Sequence, residues 1–437
     1  MKRLLPLFVS ILVILLLVFC LSFRAFEFAK PFLPYAPYLL GQTKPTSYLV
    51  LLGNDAEMRA NGGFAGSYAK IILSTTKNYH LTPEISFQDI YVPNGQIKGL
   101  FVKPPEPVQQ AFGHGSWELA NADWEPDFPS SAKTLRWFFE KGKEINPDNL
   151  VLLNLSTIKK VLNLVGSFPV PEYQATLTPD NLYQFLQGKA ELNFFPGSTQ
   201  KKDTLTAVGQ ALIKKIKSLS LLQKYRIAQV LFTDFQNQNL LVNSTNPAFQ
   251  TFLVERGLAG VLQPEALDTF SLVETNLGAN KANAYITRST DHQVSFQDHS
   301  VHHQVEIKFQ NSSPEANPNP PLHYGGNYLA YLRFYLPATA ENLSFTHTPL
   351  DLSLLPLVPS DNATDSARYG LKEIGFWQTT LAGNQSTVSL GYDLPLSDQK
   401  AYTLAILKQH GLVTSPQTLN LFGHALATDL TQDFRFP

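Results

Sequence analysis

The sequence predicts an α/β domain followed by a C-terminal antiparallel β-sandwich, both preceded by one transmembrane helix. Three observations carry that prediction. Residues 4–23 form an almost unbroken apolar run with no charge in it. Across residues 47–268, short apolar runs that end in turn residues alternate with stretches of helical period, as in an α/β domain. From about residue 270 onward apolar and polar residues alternate with a period of two, and turn clusters separate the runs, as in an antiparallel sandwich.

A bilayer core takes about 20 apolar residues of helix, so residues 4–23 are long enough to span it. Only Pro6, Ser10, Cys20 and Ser22 soften the run. Lys2 and Arg3 precede it, and basic flanks stay on the cytoplasmic side. The expected topology is a single-pass protein of the cell membrane, with a cytoplasmic N-terminus and its bulk extracytoplasmic. A cleaved signal peptide has an apolar region of about 7–15 residues and a small-x-small site. Phe23-Arg24-Ala25-Phe26-Glu27-Phe28 offers no such site, which favours an uncleaved signal anchor. Bulky Phe19 before Cys20 argues against lipoprotein processing. Cys20 is the single cysteine, so the outer region has no internal disulfide and no cysteine metal site.

About 400 residues beyond the anchor exceed what one hydrophobic core holds, which predicts two domains. The expected division is an anchor at 1–23, a stiff Pro-rich juxtamembrane stalk at 24–46, the α/β domain at 47–268 and the sandwich at 269–437. A formal net charge of −1 with no Lys/Arg block argues against a nucleic-acid partner, which needs a basic face.

Element by element, residues 48–52 read as a fully buried strand closed by Gly53-Asn54-Asp55. Residues 64–73 and 85–92 read as the next two strands. Residues 130–142 read as a helix capped by Ser130 or Ser131, with Leu135, Phe138 and Phe139 on one face. Residues 150–153 form another buried strand, and Ser156 opens a helix that Gly166 ends. A further helix covers 178–186. Residues 203–222 read as one long amphipathic helix with Lys214, Lys215 and Lys217 on its wet side. In the second half Val305, Ile307 and Phe309 alternate with Glu306, Lys308 and Gln310. Residues 328–336, 387–394 and 402–407 share that strand character.

The segment richest in chemistry follows the first strand: Gly53-Asn54-Asp55-Ala56-Glu57-Met58-Arg59-Ala60-Asn61-Gly62-Gly63-Phe64. Ligands of α/β sheets bind outside the carboxyl ends of strands, so Asn54, Glu57 and Arg59 are candidate ligand-binding residues. The planar fork of Arg59 matches a phosphate or a carboxylate. Gly62 and Gly63 let backbone come close to a ligand. The competing reading is an Arg59–Glu57 ion pair that pins a tight hairpin. No Gly-Lys-Ser/Thr follows, so the segment is not a P-loop.

The second segment is Trp117-Glu118-Leu119-Ala120-Asn121-Ala122-Asp123-Trp124-Glu125-Pro126-Asp127. Asp123 and Asp127 offer the hard oxygens that suit Mg2+ or Ca2+, with Asn121 and Trp124 beside them as ligand contacts. The competing reading is a turn anchored by its tryptophans, with the aspartates capping the next helix. His292, His299, His302 and His303 cluster around strand ends, and the flanking alternation places them at exposed hairpin positions rather than in a metal site.

These two segments resemble, in their motifs, the bacterial envelope family known as domain of unknown function 4012. The residues that carry the likeness are the run 48–64, the run 121–132, and Asn276 with Asn280-Lys281. The resemblance implies a single-pass extracytoplasmic protein. A fainter likeness is to the LytR-CpsA-Psr phosphotransferases, which attach lipid-carried glycans to the cell wall. Residues 149–171 are similar to a later strand–helix–glycine unit of that family. That likeness implies an α/β core, a pyrophosphate held by arginines, and Asp55 as a Mg2+ ligand. The chain departs from that pattern at Phe87-Gln88-Asp89 and at Lys201-Lys202-Asp203, where arginines stand in the family.

The leading expectation is therefore a membrane-anchored envelope protein that binds a surface ligand. The alternative is a Mg2+-assisted phosphotransferase acting on a lipid-linked glycan diphosphate, with Arg59 on the phosphate and Asp55, Asp123 or Asp127 on the metal. A third reading is a structural scaffold. The partners these readings imply are the membrane and a cell-wall glycan or polyprenyl diphosphate.

Overall fold

The computed structural model of the chain describes Glu27 and residues 30–437, apart from 77–80, 98, 114, 192–199, 319–324 and 356–362. The expected span at 4–23 lies outside the described residues. Among those described, no helix is long and apolar enough to cross a membrane.

The first domain is built on a mixed five-stranded sheet. β1 (Thr46–Arg59), β2 (Gly62–Thr75) and β3 (Leu81–Asp89) form an antiparallel meander. β4 (Asn149–Asn154) pairs parallel to the other side of β1. β5 (Phe168–Val170) and β6 (Ala175–Leu177) make a small separate ribbon. β7 (Leu240–Ser244) closes the main sheet beside β4, giving the order β3-β2-β1-β4-β7.

Side chains alternate across the sheet, and both of its faces are apolar. Leu49, Leu51, Leu150 and Leu152 pack on one face against Phe138 and Phe139 of α1 (Phe128–Lys141). Val50, Leu52 and Leu153 point to the other face. With apolar residues on both faces, residues 48–52 read as an unbroken apolar run. The second face is roofed by α2 (Leu155–Val165), α3 (Leu182–Glu191) and α4 (Gln200–Ser218). α5 (Leu221–Gln236) and α6 (Pro247–Glu255) follow, and two short helices at Tyr91–Gln96 and Glu106–Phe112 connect β3 to α1.

The structure moves several expected boundaries. β1 does not stop at Gly53 but continues to Arg59, with Asp55, Ala56 and Glu57 bulged out of register between Asn54 and Met58. α1 begins at Phe128, and its cap is Asp127 rather than Ser130 or Ser131. The expected long helix at 203–222 breaks at Leu219-Ser220, because Ser220 and Gln223 form a capping box that starts α5. The described part of the expected stalk does not stand off as an extended chain. Residues 30–39 form helical turns whose Phe32, Tyr35 and Tyr38 pack on Phe249 and Phe252.

The second domain is two packed six-stranded sheets. In chain order its strands are β8 (Asp268–Asn276), β9 (Ile286–Gln297), β10 (Ser300–Asn311), β11 (Tyr328–Pro337), β12 (Glu341–His347) and β13 (Ala363–Arg368). There follow β14 (Leu371–Thr380), β15 (Gln385–Pro395), β16 (Leu404–Leu407), β17 (Pro416–Leu421), β18 (His424–Asp429) and β19 (Phe434–Phe436). One sheet has the order β12-β15-β10-β9-β17-β18 and the other β13-β14-β11-β8-β16-β19. Most pairings are antiparallel, but β16 runs parallel to β8 and β17 parallel to β9. Val305, Ile307 and Phe309 point into the core between the sheets. All ten residues of β11 are buried. Tyr328, Ala330, Leu332 and Phe334 face that core, while Tyr331 and Arg333 lie against Trp124 of the first domain.

Candidate functional site

The space between the second face of the first sheet and α2, α3 and α4 is not filled. A cavity of about 1200 Å3 runs through it. Its walls are aliphatic and aromatic: Val50, Leu52, Ile71, Ile85 and Phe87 from the strands, and Ile158, Leu186, Leu205, Val208 and Leu212 from the helices. Pockets for drug-sized ligands are usually about 300–1000 Å3, so this one has room for a longer apolar body. Polar groups are also part of the lining: Asn54, Glu57, Arg59, Asp89, Asn121, Lys201 and, from the second domain, Lys281.

Arg59 is buried at 3% exposure, with both Nη atoms engaged and Nε buried without a hydrogen-bond partner among the described residues. Its Nη2 donates to Glu57 Oε1 at 2.9 Å and to Asn121 Oδ1 at 3.3 Å. Its Nη1 donates to the Asn276 carbonyl at 2.7 Å, and the guanidinium lies 4.9 Å from the centre of the Phe64 ring. The Arg59–Glu57 pair at the end of the β1–β2 hairpin is thus formed. Lys201 pairs with Asp89 at 3.0 Å and donates to the Gly66 carbonyl at 2.7 Å. Among the described lining residues three cations, Arg59, Lys201 and Lys281, meet three carboxylates, Glu57, Asp89 and Glu118.

Of the sequence-predicted residues, Asn54, Glu57, Arg59 and Asn121 come together in this lining. Gly62, Gly63 and Trp124 do not line it. A Cβ on Gly62, whose φ is +145°, would lie 2.6 Å from Asn154 Oδ1, and one on Gly63 would lie 2.0 Å from the Asn54 backbone. These glycines admit the protein's own atoms rather than a ligand. Asn154 fills the space, accepting from Gly63 N–H at 2.8 Å and donating to the Asn239 carbonyl at 2.9 Å. Trp124 is a domain-junction residue, stacked 4.3 Å under the Arg333 guanidinium.

The three predicted metal ligands are each held by protein donors. Asp55 accepts from Ser156 N–H at 3.0 Å, and burial pushes its carboxyl up against that bond. Asp123 accepts from Asn61 Nδ2 at 2.6 Å and Ser131 Oγ at 3.0 Å, and burial again raises its pKa. Asp127 accepts from Ser130 N–H at 3.0 Å as the α1 cap and from Leu262 N–H at 3.1 Å. Among the described residues no three His, Cys, Asp or Glu side chains group to hold a metal. The expected Asp55, Asp123 and Asp127 set therefore does not converge, because each carboxylate is spent on local backbone and side-chain donors.

Two of the four histidines expected at exposed positions are interior. His292 and His303 are fully buried between the sheets, 3.2 Å apart at Nδ1 and Nε2, and His303 Nδ1 lies 3.0 Å from Asp268 Oδ2. Burial, with His303 beside it, lowers the His292 pKa to about 3.

The cavity walls were missed by sequence reasoning, and Lys281 was singled out for the resemblance but not as a site residue. The wall residues come in ones, twos and threes from separate strands and helices, and each reads as ordinary core.

Residues 43–190 match the model of the family described as "Protein of unknown function (DUF4012)". No curated protein matches the chain. Among solved structures, similarity is found to TagV of Bacillus subtilis, a LytR-CpsA-Psr family protein. The two share 15% identity over 50% of this chain and 81% of that one, with a TM-score of 0.30. The Lin1025 protein from Listeria innocua is similar at 13% identity over 53% of this chain and 86% of that one, with a TM-score of 0.28. A putative nutrient binding protein from Legionella pneumophila is similar at 9% identity and a TM-score of 0.23. That match covers 35% of this chain, and the chain spans about half, 54%, of the Legionella protein.

Proposed function

We propose that the chain is an envelope protein, anchored by residues 4–23, that binds an amphipathic lipid-like ligand without transforming it. The cavity of about 1200 Å3 between sheet and helices carries this reading. An apolar tail lying along Val50, Ile71, Leu205 and Leu212 would leave water at about 0.8 kcal/mol per methylene. The head would sit among Asn54, Arg59, Asn121 and Lys201. The direct ion pairs there, Arg59–Glu57 and Lys201–Asp89, leave little uncompensated positive charge. That balance favours a polar head of low net charge over a diphosphate, which needs unpaired cations. The metal-assisted transferase reading has less support, since the predicted carboxylates do not meet.

The test is photocrosslinking of the full chain in vesicles with a diazirine-tailed diacylglycerol. Adducts are expected on peptides spanning 205–213 and should be lost in Ala69→Trp, which fills the cavity from β2. Adducts confined to residues 4–23, or unchanged in Ala69→Trp, would overturn the reading. Stronger competition by a polyprenyl diphosphate with Mg2+ than by a neutral lipid would return the transferase reading to first place.

A further inference from the structure

The turn between α4 and α5 places two leucines in water. Leu221 is 84% exposed, more than any other large apolar side chain described, and Leu222 is 49% exposed. The turn is a formed cap. Ser220 Oγ accepts from Gln223 N–H at 3.3 Å, and Gln223 Oε1 accepts from Ser220 N–H at 3.1 Å. The leucines are therefore held outward by structure.

The parts of α4 and α5 next to the turn carry only basic charges. Residues 204–233 contain Lys214, Lys215, Lys217, Lys224 and Arg226 and not one Asp or Glu. None of the five has an ion-pair partner among the described residues. The chain as a whole carries a formal net charge of −1, so this excess is local.

The chain that follows the expected anchor packs on α5 as well. Phe32 packs edge-on to Phe232 of α5 at 6.4 Å between ring centroids. Leu221 is 11 positions before Phe232, roughly 16 Å at the helical rise per residue. Residue 30 follows the apolar run 4–23 by seven residues, which reach no farther than about 25 Å.

We propose that the α4–α5 tip, Leu221 and Leu222 set among five lysine and arginine side chains, docks on the surface of an anionic lipid bilayer. The leucines enter the headgroup boundary and the cations meet anionic headgroups, the pattern by which amphipathic segments bind a membrane surface. Docking there also brings α4, a wall of the cavity, to the lipid. The inference does not depend on what the cavity holds.

The test uses the full chain carrying Cys20→Ser and Leu221→Cys, with an environment-sensitive fluorophore on the new thiol. The chain is reconstituted in phosphatidylcholine vesicles with or without phosphatidylglycerol. With phosphatidylglycerol, a blue shift and quenching by a lipid-borne nitroxide are expected. Both should be lost at high salt and in Lys214→Glu/Lys215→Glu/Lys217→Glu, while a label at Ala427→Cys on β18 stays in water throughout. Ala69→Trp should leave the signal unchanged, which separates this inference from the ligand reading. Equal quenching in neutral vesicles, or none in anionic ones, would overturn it.

Discussion

Lys408 gives the sharpest handle on the junction between the domains. It follows β16, is 3% exposed, and its Nζ donates to Asn239 Oδ1 at 3.0 Å and to the Gln409 carbonyl at 3.1 Å. Burial lowers its pKa from 10.5 to about 7, against the opposite pull of Asp433 and Asp234. The unfolded chain keeps this proton up to about pH 10.5, whereas the folded chain releases it near 7. In that window the unfolded state binds more protons, so stability rises with pH. At about 1.4 kcal/mol per pH unit, the gain from pH 7 to pH 10 is roughly 3–4 kcal/mol. For a domain of about 150–250 residues this is a rise of roughly 6–15 °C in Tm. Lys408→Met removes the titration and costs about 1–3 kcal/mol by leaving Asn239 Oδ1 unpaired. The variant should match or exceed the wild type near pH 7 and fall below it near pH 10. Calorimetry of both full-length proteins in the same detergent, scanned over that range, reads the difference curve. Parallel curves would refute the argument, since they would mean that Lys408 is charged in the fold or reached by water.

Three further outcomes follow from the site. Gly63→Ala puts a Cβ 2.0 Å from the Asn54 backbone and should cost about 1–3 kcal/mol or more, while Gly95→Ala, with nothing within 4 Å, should be near neutral in the same thermal scan. Asp127→Ala removes the acceptor of two backbone N–H groups and should cost about 1–2 kcal/mol, and Mg2+ should not raise the wild-type Tm; a Mg2+-dependent rise lost in Asp127→Ala would restore the metal role. His410 is buried against Asn61 Oδ1 with its pKa lowered to about 3, so the unfolded state takes up its proton first and stability drops as pH falls below about 6.5. His410→Gln should flatten that acid limb by up to about 1.4 kcal/mol per pH unit, and an unchanged limb in acid titration by circular dichroism would refute this.

Much of the architecture was legible because periodicity reports burial. The run 48–52 read correctly as a strand, although Val50 and Leu52 are half-buried over the cavity, and the alternation at 305–310 read correctly as one face of a sandwich. The end of β1 did not, since Gly53-Asn54-Asp55 has the composition of a turn. Only the tertiary pairing with β2 and a three-residue bulge keep it in the sheet. His292 and His303 have polar names at inward positions. Period two placed their neighbours correctly, and Asp268 with Tyr392 supplies the partners that make their burial tolerable. Asn54, Glu57, Arg59 and Asn121 were found as a group because they crowd two short segments. The cavity they adjoin left no signal, because a pattern of apolar residues says that they leave water, not what they meet. The parallel pairings of β16 and β17 were equally silent, being set by chain crossover rather than by local composition.

The β1–β2 hairpin end is held by the sandwich as well as by its own domain. Met58 N–H donates to Asn283 Oδ1 at 3.0 Å, and Gln409 Nε2 donates to the Arg59 carbonyl at 3.0 Å. The same hairpin carries Glu57 and Arg59 to the cavity, and Lys281 arrives there from the sandwich side. An occupant of the cavity would therefore touch groups whose positions depend on how the two domains are seated. By thermodynamic reciprocity, whatever tightens that seating tightens the grip on the occupant by the same factor, and the occupant returns the coupling in full. If the chain is anchored as proposed, an event at the sandwich would then be felt as a change in affinity at the cavity of the first domain.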